Sequence, residues 1–266
     1  MKPDTPDPAR GPAEGDHTAS RALTGKAALV TGAARRVGAS IARSLHAAGA
    51  GVLLHYRSSA DDAAALAAEL NAVRPRSAAL AECDLLEIAR LPELVEAATR
   101  AFGGLDILVN NASTFYPTPM GDIAEMDWDD LVGTNLKAPL FLAQAAAPSL
   151  HERRGLIINV ADIHGLRPLR RYPVYSLAKA GLIMLTRSLA RELGPHVRVN
   201  AVAPGPVMWP DEGLDKALQE KITARTALKR LGSPADVAHT CLFFATAAPY
   251  VTGQILAVDG GRSIGW

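Results

Sequence analysis

Short β-branched or aliphatic runs alternate with alanine-rich amphipathic segments from Leu23 onward, and this alternation restricts the fold more than any other feature. Such an alternation favours parallel strands, because each intervening helix returns the chain to the same end of the sheet. The predicted strands are residues 27–32, 51–56, 77–84, 106–111, 155–161, 197–204 and 254–261. The predicted helices are residues 37–49, 60–73, 90–102, 123–149, 173–194, 213–228 and 234–247. We therefore predict an α/β fold, a single-domain doubly wound (Rossmann-type) sheet of about seven parallel strands flanked by helices.

The chain length and the terminal composition predict one domain preceded by a tail. A chain of 266 residues that is 48% hydrophobic can bury one large core. Residues 1–22 are rich in Pro, Gly and charge and lack the apolar run of a signal peptide, so we predict a disordered tail before a domain at 23–266. No stretch of about 20 apolar residues follows, and no membrane span is expected.

The charge and cysteine content favour a small-molecule partner. Twenty-eight basic and 27 acidic residues give a net charge of +1, which offers no general attraction to nucleic acid or to an anionic membrane. Cys83 and Cys241 lie far apart and outside any Cys/His cluster. We expect buried thiols, no metal site and a reducing, cytoplasmic location.

A glycine motif follows the first predicted strand and opens a helix in "VTGAARRVGASIA". Gly32 permits a tight turn and Gly38 lets the helix pack close to the strand, so backbone N–H groups and the helix N-terminus can face a pyrophosphate. Arg36 stands where a middle glycine is usual. Alone, this pattern is equally compatible with an ordinary turn.

The second strand end favours NADPH over NADH. An NAD site usually places an acidic residue there, whereas "LLHYRSSADD" offers His55, Arg57 and Ser58. Arg35 comes from the glycine loop to the same corner, and guanidinium groups bind a 2′-phosphate through charge-assisted hydrogen bonds. The alternative is that Arg35 and Arg57 are solvated surface cations.

Two further strand ends complete the predicted cofactor site. Asp84 and Leu85 in "CDL" are placed to bind the adenine, and Asn111 and Ala112 in "NNAS" lie beside the riboses. Each motif is short, but the order of the motifs along the chain and their placement at strand ends make the combination specific.

Tyr175 and Lys179 are four residues apart on a predicted helix and therefore share one face. A neighbouring ammonium stabilises tyrosinate, so we expect Lys179 to lower the pKa of Tyr175 and also to hold the nicotinamide ribose. Asn135 in "GTNLKAP" indicates a helix irregularity that holds a water between Lys179 and solvent.

In order, "TGAARRVG", "NNAS", the asparagine of "GTNLKAP", "YSLAK" and "APGPV" resemble the motifs of the short-chain dehydrogenase/reductase family across about 240 residues. The family pattern has Ser or Thr thirteen residues before the tyrosine, where this chain has Asp162. That departure, with "LHYRSSA" and "NNASTFYPTP", resembles the pteridine reductase branch. The resemblance implies NADPH-dependent reduction of dihydropteridines, with dihydrofolate or oxidised pterins as further substrates, and a homotetramer.

The resemblance also assigns site residues. Phe115 is expected to stack on the pterin, and Ser113 and Arg36 to contact substrate or cofactor phosphates. Leu169 and Trp209 are expected to close the pocket, with a subunit contact as the alternative for Trp209. The predicted catalytic residues are Asp162, Tyr175, Lys179 and Asn135. The predicted cofactor-binding residues are Gly32, Arg35, Arg36, Val37, Gly38, His55, Tyr56, Arg57, Ser58, Asp84, Leu85, Asn111, Ala112, Ser113, Tyr175, Lys179, Pro204, Gly205 and Val207. The predicted substrate-binding residues are Arg36, Ser113, Phe115, Leu169, Trp209, Asp162 and Tyr175.

The chemistry of an aspartate at this position independently favours a C=N substrate. Ketone reduction builds negative charge on oxygen, and an ionised Asp162 about 4 Å away costs roughly 4 kcal/mol at an effective dielectric near 20. Reduction of a C=N bond instead needs a proton at nitrogen, which a carboxylic acid with a pKa raised by burial can donate.

Several alternatives remain open from the sequence. A 3-oxoacyl or other carbonyl reductase with a protonated Asp162 is the first rival, and an idle NADPH-binding module is the second. Phe115 can be a core aromatic, and Asp162 can cap a turn. The basic residues His164, Arg167, Arg170 and Arg171 either steer an anionic tail or form a solvated loop.

Overall fold

The computed structural model describes residues 21–209 and 215–265, which build seven strands and eight α-helices. The strands are β1 Ala27–Val30, β2 Gly51–Tyr56, β3 Ala78–Glu82, β4 Ile107–Asn110, β5 Leu156–Val160, β6 Arg198–Pro204 and β7 Ile255–Val258. The helices are α1 Arg36–Ala47, α2 Ala60–Val73, α3 Leu91–Phe102, α4 Glu125–Val132, α5 Ala138–Glu152, α6 Pro173–Glu192, α7 Lys216–Ala224 and α8 Pro234–Thr246. Residues 1–20 of the predicted tail and 213–214 of a predicted helix lie outside the described range.

The seven strands form one parallel sheet in the order β3-β2-β1-β4-β5-β6-β7, which confirms the predicted architecture. The strand order reverses between β1 and β4, so the crevice above these two strands is the expected ligand site of a doubly wound sheet. β1, β4 and β5 are buried along their whole length. Their continuous apolar runs are explained by helices covering both faces.

Two hydrophobic clusters fill the two sides of the sheet. One joins the sheet to α1, α2 and α8 through side chains such as Ile41, Leu66 and Phe244. The other joins it to α3 and α5 through side chains such as Leu94 and Leu142. Cys83 and Cys241 are free and buried in these clusters, as predicted.

The largest departure from the predicted elements lies at residues 123–149, which were expected to form one helix. They form α4, a five-residue π-helix at Gly133–Lys137, and then α5. The π turn places Thr134 and Asn135 in buried positions. A helix irregularity at Asn135 is therefore confirmed, and π turns of this kind are frequent at functional sites.

The described residues contain no helix long and apolar enough to cross a membrane. Within the same ranges, no group of three or more His, Cys, Asp or Glu side chains is arranged to hold a metal ion.

Candidate active site

A cavity of about 680 Å³ opens at the carboxyl end of the sheet, and most of the predicted site residues line it. Asn135, Leu169 and Trp209 are the predicted residues that do not. The predicted residues that line the cavity are Gly32, Arg35, Arg36, Val37, Gly38, His55, Tyr56, Arg57, Ser58, Asp84, Leu85, Asn111, Ala112, Ser113, Phe115, Asp162, Tyr175, Lys179, Pro204, Gly205 and Val207. The unpredicted lining residues are mainly sequence neighbours of the motifs, namely Ala34, Ser59, Thr114, Thr134, Val160, Ala161 and Met208.

The glycine loop has the close approach that the motif predicts. Gly32 has a φ of +59°, and a Cβ at Gly38 would lie 2.1 Å from the Gly32 carbonyl oxygen. The Asn111 amide donates to the carbonyl oxygens of Thr31 and Gly32 at 2.8 and 3.1 Å. The loop is therefore fixed to the end of β4 before any ligand arrives.

His55 supports this loop through both ring nitrogens. The Gly32 N–H donates to Nδ1 at 3.1 Å, so Nε2 carries the proton and donates to the Cys83 carbonyl oxygen at 3.0 Å. The ring is 2% exposed, and this burial lowers the pKa of His55. Because both ring nitrogens are hydrogen-bonded within the protein, the neutral His55 ring holds the glycine loop in place. Its position in the sequence had suggested a direct ribose or phosphate ligand.

The corner at the end of β2 is basic and exposed. Arg57 and Ser58 are exposed, and Arg35 reaches the same cavity while its Nε lies 3.5 Å from an oxygen of Asp62. Asp62 belongs to the first turn of α2. Arg35 is thus shared between this carboxylate and the cavity.

Arg36 connects the glycine loop to the segment after β6. It adopts a φ of +55°, which is uncommon for a residue with a side chain. Its Nε lies 2.8 Å from the Met208 Sδ and its Nη2 donates to the Trp209 carbonyl oxygen at 2.9 Å. Trp209 therefore contributes a backbone oxygen beside the cavity mouth.

Asp162 and Tyr175, thirteen residues apart in sequence, are joined directly. The Tyr175 hydroxyl donates to Oδ2 of Asp162 at 2.8 Å, and the His164 N–H donates to Oδ1 at 2.7 Å. Asp162 thus caps the Ile163–Gly165 turn and also contacts the phenol. The turn-capping alternative and the active-site prediction both describe part of its geometry.

The pKa of Tyr175 is raised well above its ordinary value, contrary to the expected lowering by Lys179. Burial is the main cause, and the charge and hydrogen bond of Asp162 add to it. The Lys179 ammonium donates to the Val160 carbonyl oxygen at 3.0 Å and lies 5.7 Å from the Tyr175 ring centre. Its own burial lowers the pKa of Lys179 to about 8.

Asn135 is 1% exposed and fully bonded inside the π turn. Its Nδ2 donates to the carbonyl oxygens of Leu131 and Thr114 at 2.9 and 3.0 Å, and its Oδ1 accepts from the Ser113 hydroxyl at 2.6 Å. The side-chain contact that Asn135 makes at the site is therefore with Ser113. The predicted water beside Lys179 stays a prediction.

Phe115 is 49% exposed and lines the cavity, so it is not a core aromatic. Its ring stacks on Tyr172 at 4.6 Å and 12°, and meets Tyr175 edge-on at 4.8 Å. Sequence reasoning missed Tyr172, which lies at the N-cap position of α6, three residues before Tyr175.

Some of the predicted residues in the loop before Tyr175 bond to neighbouring segments, and others are exposed. Leu169 donates its N–H to the Ser176 hydroxyl at 3.2 Å and does not line the cavity. Arg167, Arg170 and Arg171 are exposed, and the Arg171 carbonyl oxygen accepts from the Thr118 N–H at 2.7 Å. The choice between an anion-steering loop and a solvated one stays open.

The parallel sheet, the glycine loop and the Tyr175–Lys179 helix together define a dinucleotide-dependent oxidoreductase site. A sequence profile described as "Enoyl-(Acyl carrier protein) reductase" matches residues 32–263. The chain belongs to the short-chain dehydrogenase/reductase family, as its motifs predicted.

The individual relatives divide between two substrate classes. Pteridine reductase 1 of Leishmania tarentolae is 40% identical, over 91% of this chain and 97% of its own. The 3-oxoacyl-[acyl-carrier-protein] reductase FabG of Staphylococcus aureus strain Mu50 is 37% identical, over 89% of this chain and 97% of its own. A blue fluorescent protein from a metagenomic library, solved in complex with NADPH, superposes with a TM-score of 0.85 at 36% identity, covering 90% of this chain and 98% of that one.

Proposed function

We propose that this protein is an NADPH-dependent pteridine reductase that converts dihydropteridines to tetrahydropteridines. The observation that carries the proposal is the direct hydrogen bond between Asp162 and Tyr175 in a cavity that also contains the half-exposed ring of Phe115. A flat nitrogen heterocycle needs both an acid at a ring nitrogen and an aromatic surface for stacking. The 40% identity to a pteridine reductase supports the same substrate class.

NADPH fits the residues at the cofactor end of the cavity. The Gly32 carbonyl oxygen occupies the space that a Cβ at Gly38 would fill, so the glycine loop packs directly on α1, which begins at Arg36 with its N-terminus toward the cavity. Arg35, Arg57 and Ser58 offer donors suited to a 2′-phosphate where an acidic residue would repel it. The NADPH complex of the superposed blue fluorescent protein supports this choice. When bound, NADPH supplies the hydride.

The protein residues provide the proton. Tyr175 is protonated throughout the neutral range, because burial and Asp162 raise its pKa. Asp162 accepts from both the phenol and the His164 N–H, so it orients the Tyr175 hydroxyl in the resting site. For Asp162 itself to donate a proton, it must be the donor of its hydrogen bond with Tyr175 instead of the acceptor. We therefore propose that the two residues share one proton, and we do not give them separate proton-transfer roles.

Lys179 holds the other side of the site. Its ammonium donates to the Val160 carbonyl oxygen at the end of β5, and we assign it to bind the nicotinamide ribose. Burial keeps water away from this charge, which strengthens any hydrogen bond that it gives to a ribose hydroxyl.

The alternative is a 3-oxoacyl or other carbonyl reductase, which the 37% identity to FabG favours. An ionised Asp162 beside a developing alkoxide opposes that reaction, because two negative charges about 4 Å apart repel by roughly 4 kcal/mol at an effective dielectric near 20. The alternative therefore requires Asp162 to be protonated.

One assay separates these reactions. The loss of NADPH absorbance is followed with dihydrobiopterin, dihydromonapterin, dihydrofolate and an acetoacetyl thioester in parallel. We expect turnover of a dihydropterin and little or none of the thioester. Thioester turnover without pterin turnover would replace the proposal with the carbonyl reductase, and no turnover of any compound would favour an idle NADPH-binding module.

Asp162→Ala tests the role of Asp162 in the proton transfer that it shares with Tyr175. We expect turnover of a dihydropterin to fall by about 100-fold or more, the usual scale for a positioned acid–base group. NADPH affinity, measured by fluorescence, should stay close to that of the unmodified protein. Unchanged pterin turnover in Asp162→Ala would refute the role.

We also propose a homotetramer assembled through the two-fold contacts of its family, a single reductase domain at residues 23–266 and a cytoplasmic location. Light scattering of the purified protein tests the first of these.

A further inference from the structure

His55 connects the ends of three neighbouring strands. Its ring Nδ1 accepts from the Gly32 N–H at 3.1 Å, and its backbone carbonyl oxygen accepts from the Ala33 N–H at 2.9 Å. Two successive amides of the glycine loop after β1 are therefore bound by this one residue of β2. On the opposite side of the ring, Nε2 lies 3.0 Å from the carbonyl oxygen of Cys83, which follows β3. Cys83 precedes Asp84, so the ring joins the loop predicted to face the pyrophosphate to the segment predicted to bind the adenine.

The two ring contacts require one particular form of the imidazole. The Gly32 N–H is a donor and needs an unprotonated Nδ1, whereas the Cys83 carbonyl oxygen is an acceptor and needs a proton on Nε2. In the imidazolium form Nδ1 also carries a proton, so two N–H groups would face each other across 3.1 Å. The ring is 2% exposed, and little water can reach it to replace the lost acceptor. Protonation of His55 therefore displaces the glycine loop from its present position.

The surroundings of the ring keep it neutral at pH 7. Burial lowers the pKa of His55, while the bond to the Cys83 carbonyl oxygen and the charge of Asp84 raise it by smaller amounts. The ring therefore takes up a proton only as the pH falls below the ordinary histidine value of about 6.5. The adjoining segments also carry Arg35 and Arg36 in the glycine loop, Tyr56 and Arg57 at the end of β2, Asp61 and Asp62 in α2, Glu82 and the Cys83 thiol at the end of β3, and Glu87, Arg90 and Glu93 around the start of α3.

We propose that His55 is a positioning residue for the dinucleotide, whose neutral ring holds the glycine loop in the form that binds the pyrophosphate. Backbone N–H groups bind a phosphate when their directions converge on it, so a shift of Gly32 should weaken binding although no atom that touches the ligand has been removed. Acid pH should then weaken binding of the dinucleotide through this one ring. The proposal rests on NADPH as the cofactor of the proposed function and not on the pterin as its substrate.

Two amide substitutions separate the two contacts of the ring. In His55→Asn the side-chain oxygen can take the place of Nδ1 and accept from Gly32, whereas in His55→Gln the side-chain nitrogen can take the place of Nε2 and donate to Cys83. Neither amide gains a proton as the pH falls. Binding is measured by calorimetric titration with NADP+, which is stable in acid. At about pH 8 we expect the Kd of His55→Asn to stay within about 3-fold of that of the unmodified protein, and the Kd of His55→Gln to be about 10-fold higher, the scale of one buried hydrogen bond.

The pH dependence of binding identifies the ring proton. Between about pH 8 and about pH 5, we expect the Kd of the unmodified protein to rise from the value of His55→Asn toward that of His55→Gln. The 2′-phosphate of NADP+ titrates in every experiment, so the ratio of the two Kd values isolates the ring. His46→Asn is the matched control and should follow the unmodified protein, because His46 is equally buried but contacts the Ser77 hydroxyl at 2.7 Å outside the cavity. Near-UV circular dichroism at each pH checks that every variant is folded.

A second measurement needs no ligand. In the apo protein labelled with 15N-histidine, the ring-nitrogen resonances of His55 show which nitrogen carries the proton, and their loss in His55→Asn assigns them. We expect the proton on Nε2 at about pH 8. If the protein binds no NADP+, the cofactor assignment fails, whereas this tautomer still decides the contact with the loop.

The opposite results would overturn the proposal. Equal Kd values for His55→Asn and His55→Gln would show that the contact with Gly32 does not position the loop. If the Kd of the unmodified protein fell relative to that of His55→Asn on acidification, His55 would be a cationic phosphate ligand instead. A proton on Nδ1 at about pH 8 would exclude the contact itself.

Discussion

The two ends of the cavity are built in different ways. The cofactor end, around the glycine loop and the β2 corner, depends on backbone geometry and on exposed cations such as Arg35 and Arg57. The catalytic end depends on buried polar side chains, since Tyr175 and Lys179 are 4% and 2% exposed. We therefore expect the cofactor end to tolerate a change of charge more easily than a change of shape. We expect the catalytic end to tolerate a change of shape more easily than a change of charge.

The difference also appears in the titrating groups. Exposed cations in water keep their charge over the whole physiological range. At the catalytic end, burial moves the pKa of Tyr175 upward and that of Lys179 downward, so each group is pushed toward its neutral form. Burying these two groups costs free energy, and the resulting pKa shifts set the protonation behaviour of the site.

Tyr175→Phe should give the largest effect and tests the catalytic end. We expect kcat to fall by about 100- to 10,000-fold, because the phenol proton is lost while the ring keeps its edge contact with Phe115. Steady-state kinetics and an NADPH titration measure this, with the exposed Tyr250→Phe as control. A similar loss of NADPH affinity would contradict the separation of the two ends.

Gly38→Ala tests the shape of the cofactor end. The new Cβ would lie 2.1 Å from the Gly32 carbonyl oxygen and 2.6 Å from the Asn111 amide. We expect a loss of about 3 kcal/mol in the free energy of unfolding and a raised Kd for NADPH, because the loop must move away. Gly265→Ala, whose nearest atom is at 3.9 Å, is the control. Urea unfolding and cofactor titration measure both effects, and a normal NADPH Kd in Gly38→Ala would show that the loop shape is not needed.

Lys179→Met should make the protein more stable and inactive. Burial lowers the pKa of Lys179 from 10.5 to about 8, so the unfolded chain binds a proton between those pH values that the folded protein does not. This group therefore makes the free energy of unfolding rise with pH across that window, and it destabilises the fold below about 8. Lys179→Met should gain about 1 to 3 kcal/mol at neutral pH, since the lost bond to Val160 offsets part of the gain.

Urea unfolding as a function of pH checks this prediction. The rise in stability should disappear in Lys179→Met and persist in Lys216→Met, which replaces an exposed lysine of α7. An unchanged pH dependence in Lys179→Met would mean that the ammonium is solvated in the folded protein.

Arg57→Gln and Arg35→Gln should have the smallest effects and test the charge of the cofactor end. We expect the Kd for NADPH to rise about 10-fold, the scale of one charge-assisted hydrogen bond, and the Kd for NADH to stay constant. Arg35→Gln should cost less, because Arg35 is already paired with Asp62 at 3.5 Å. Equal losses for NADPH and NADH in both variants would show that neither arginine recognises the 2′-phosphate.

The sequence predicted the cofactor end better than the catalytic end. Gly32 and Gly38 act through their own backbone and near neighbours, so a local motif is sufficient to identify them. The role of His55 was missed because its two partners, Gly32 and Cys83, come from the ends of neighbouring strands. Alternation along β2 predicts the face of a side chain but not which groups it meets there.

The catalytic end shows the same limit more strongly. The spacing of Tyr175 and Lys179 correctly predicted one helical face, and the family pattern drew attention to Asp162, which lies 2.8 Å from the Tyr175 hydroxyl. The direction of the Tyr175 pKa shift was wrong, because it depends on burial and on the distance to Asp162 rather than on the presence of a lysine four residues away.

By itself, the sequence determined the parallel sheet, the glycine loop and the helix that carries Tyr175, because each follows from the periodicity or the conformational freedom of a few adjacent residues. The tertiary structure alone decided which hydrogen bonds form between distant segments, such as that of Ser113 with Asn135, and which charges lie buried. The physical reason is that solvation and hydrogen-bond geometry depend on atoms brought together from several strands, and no local pattern specifies their distances.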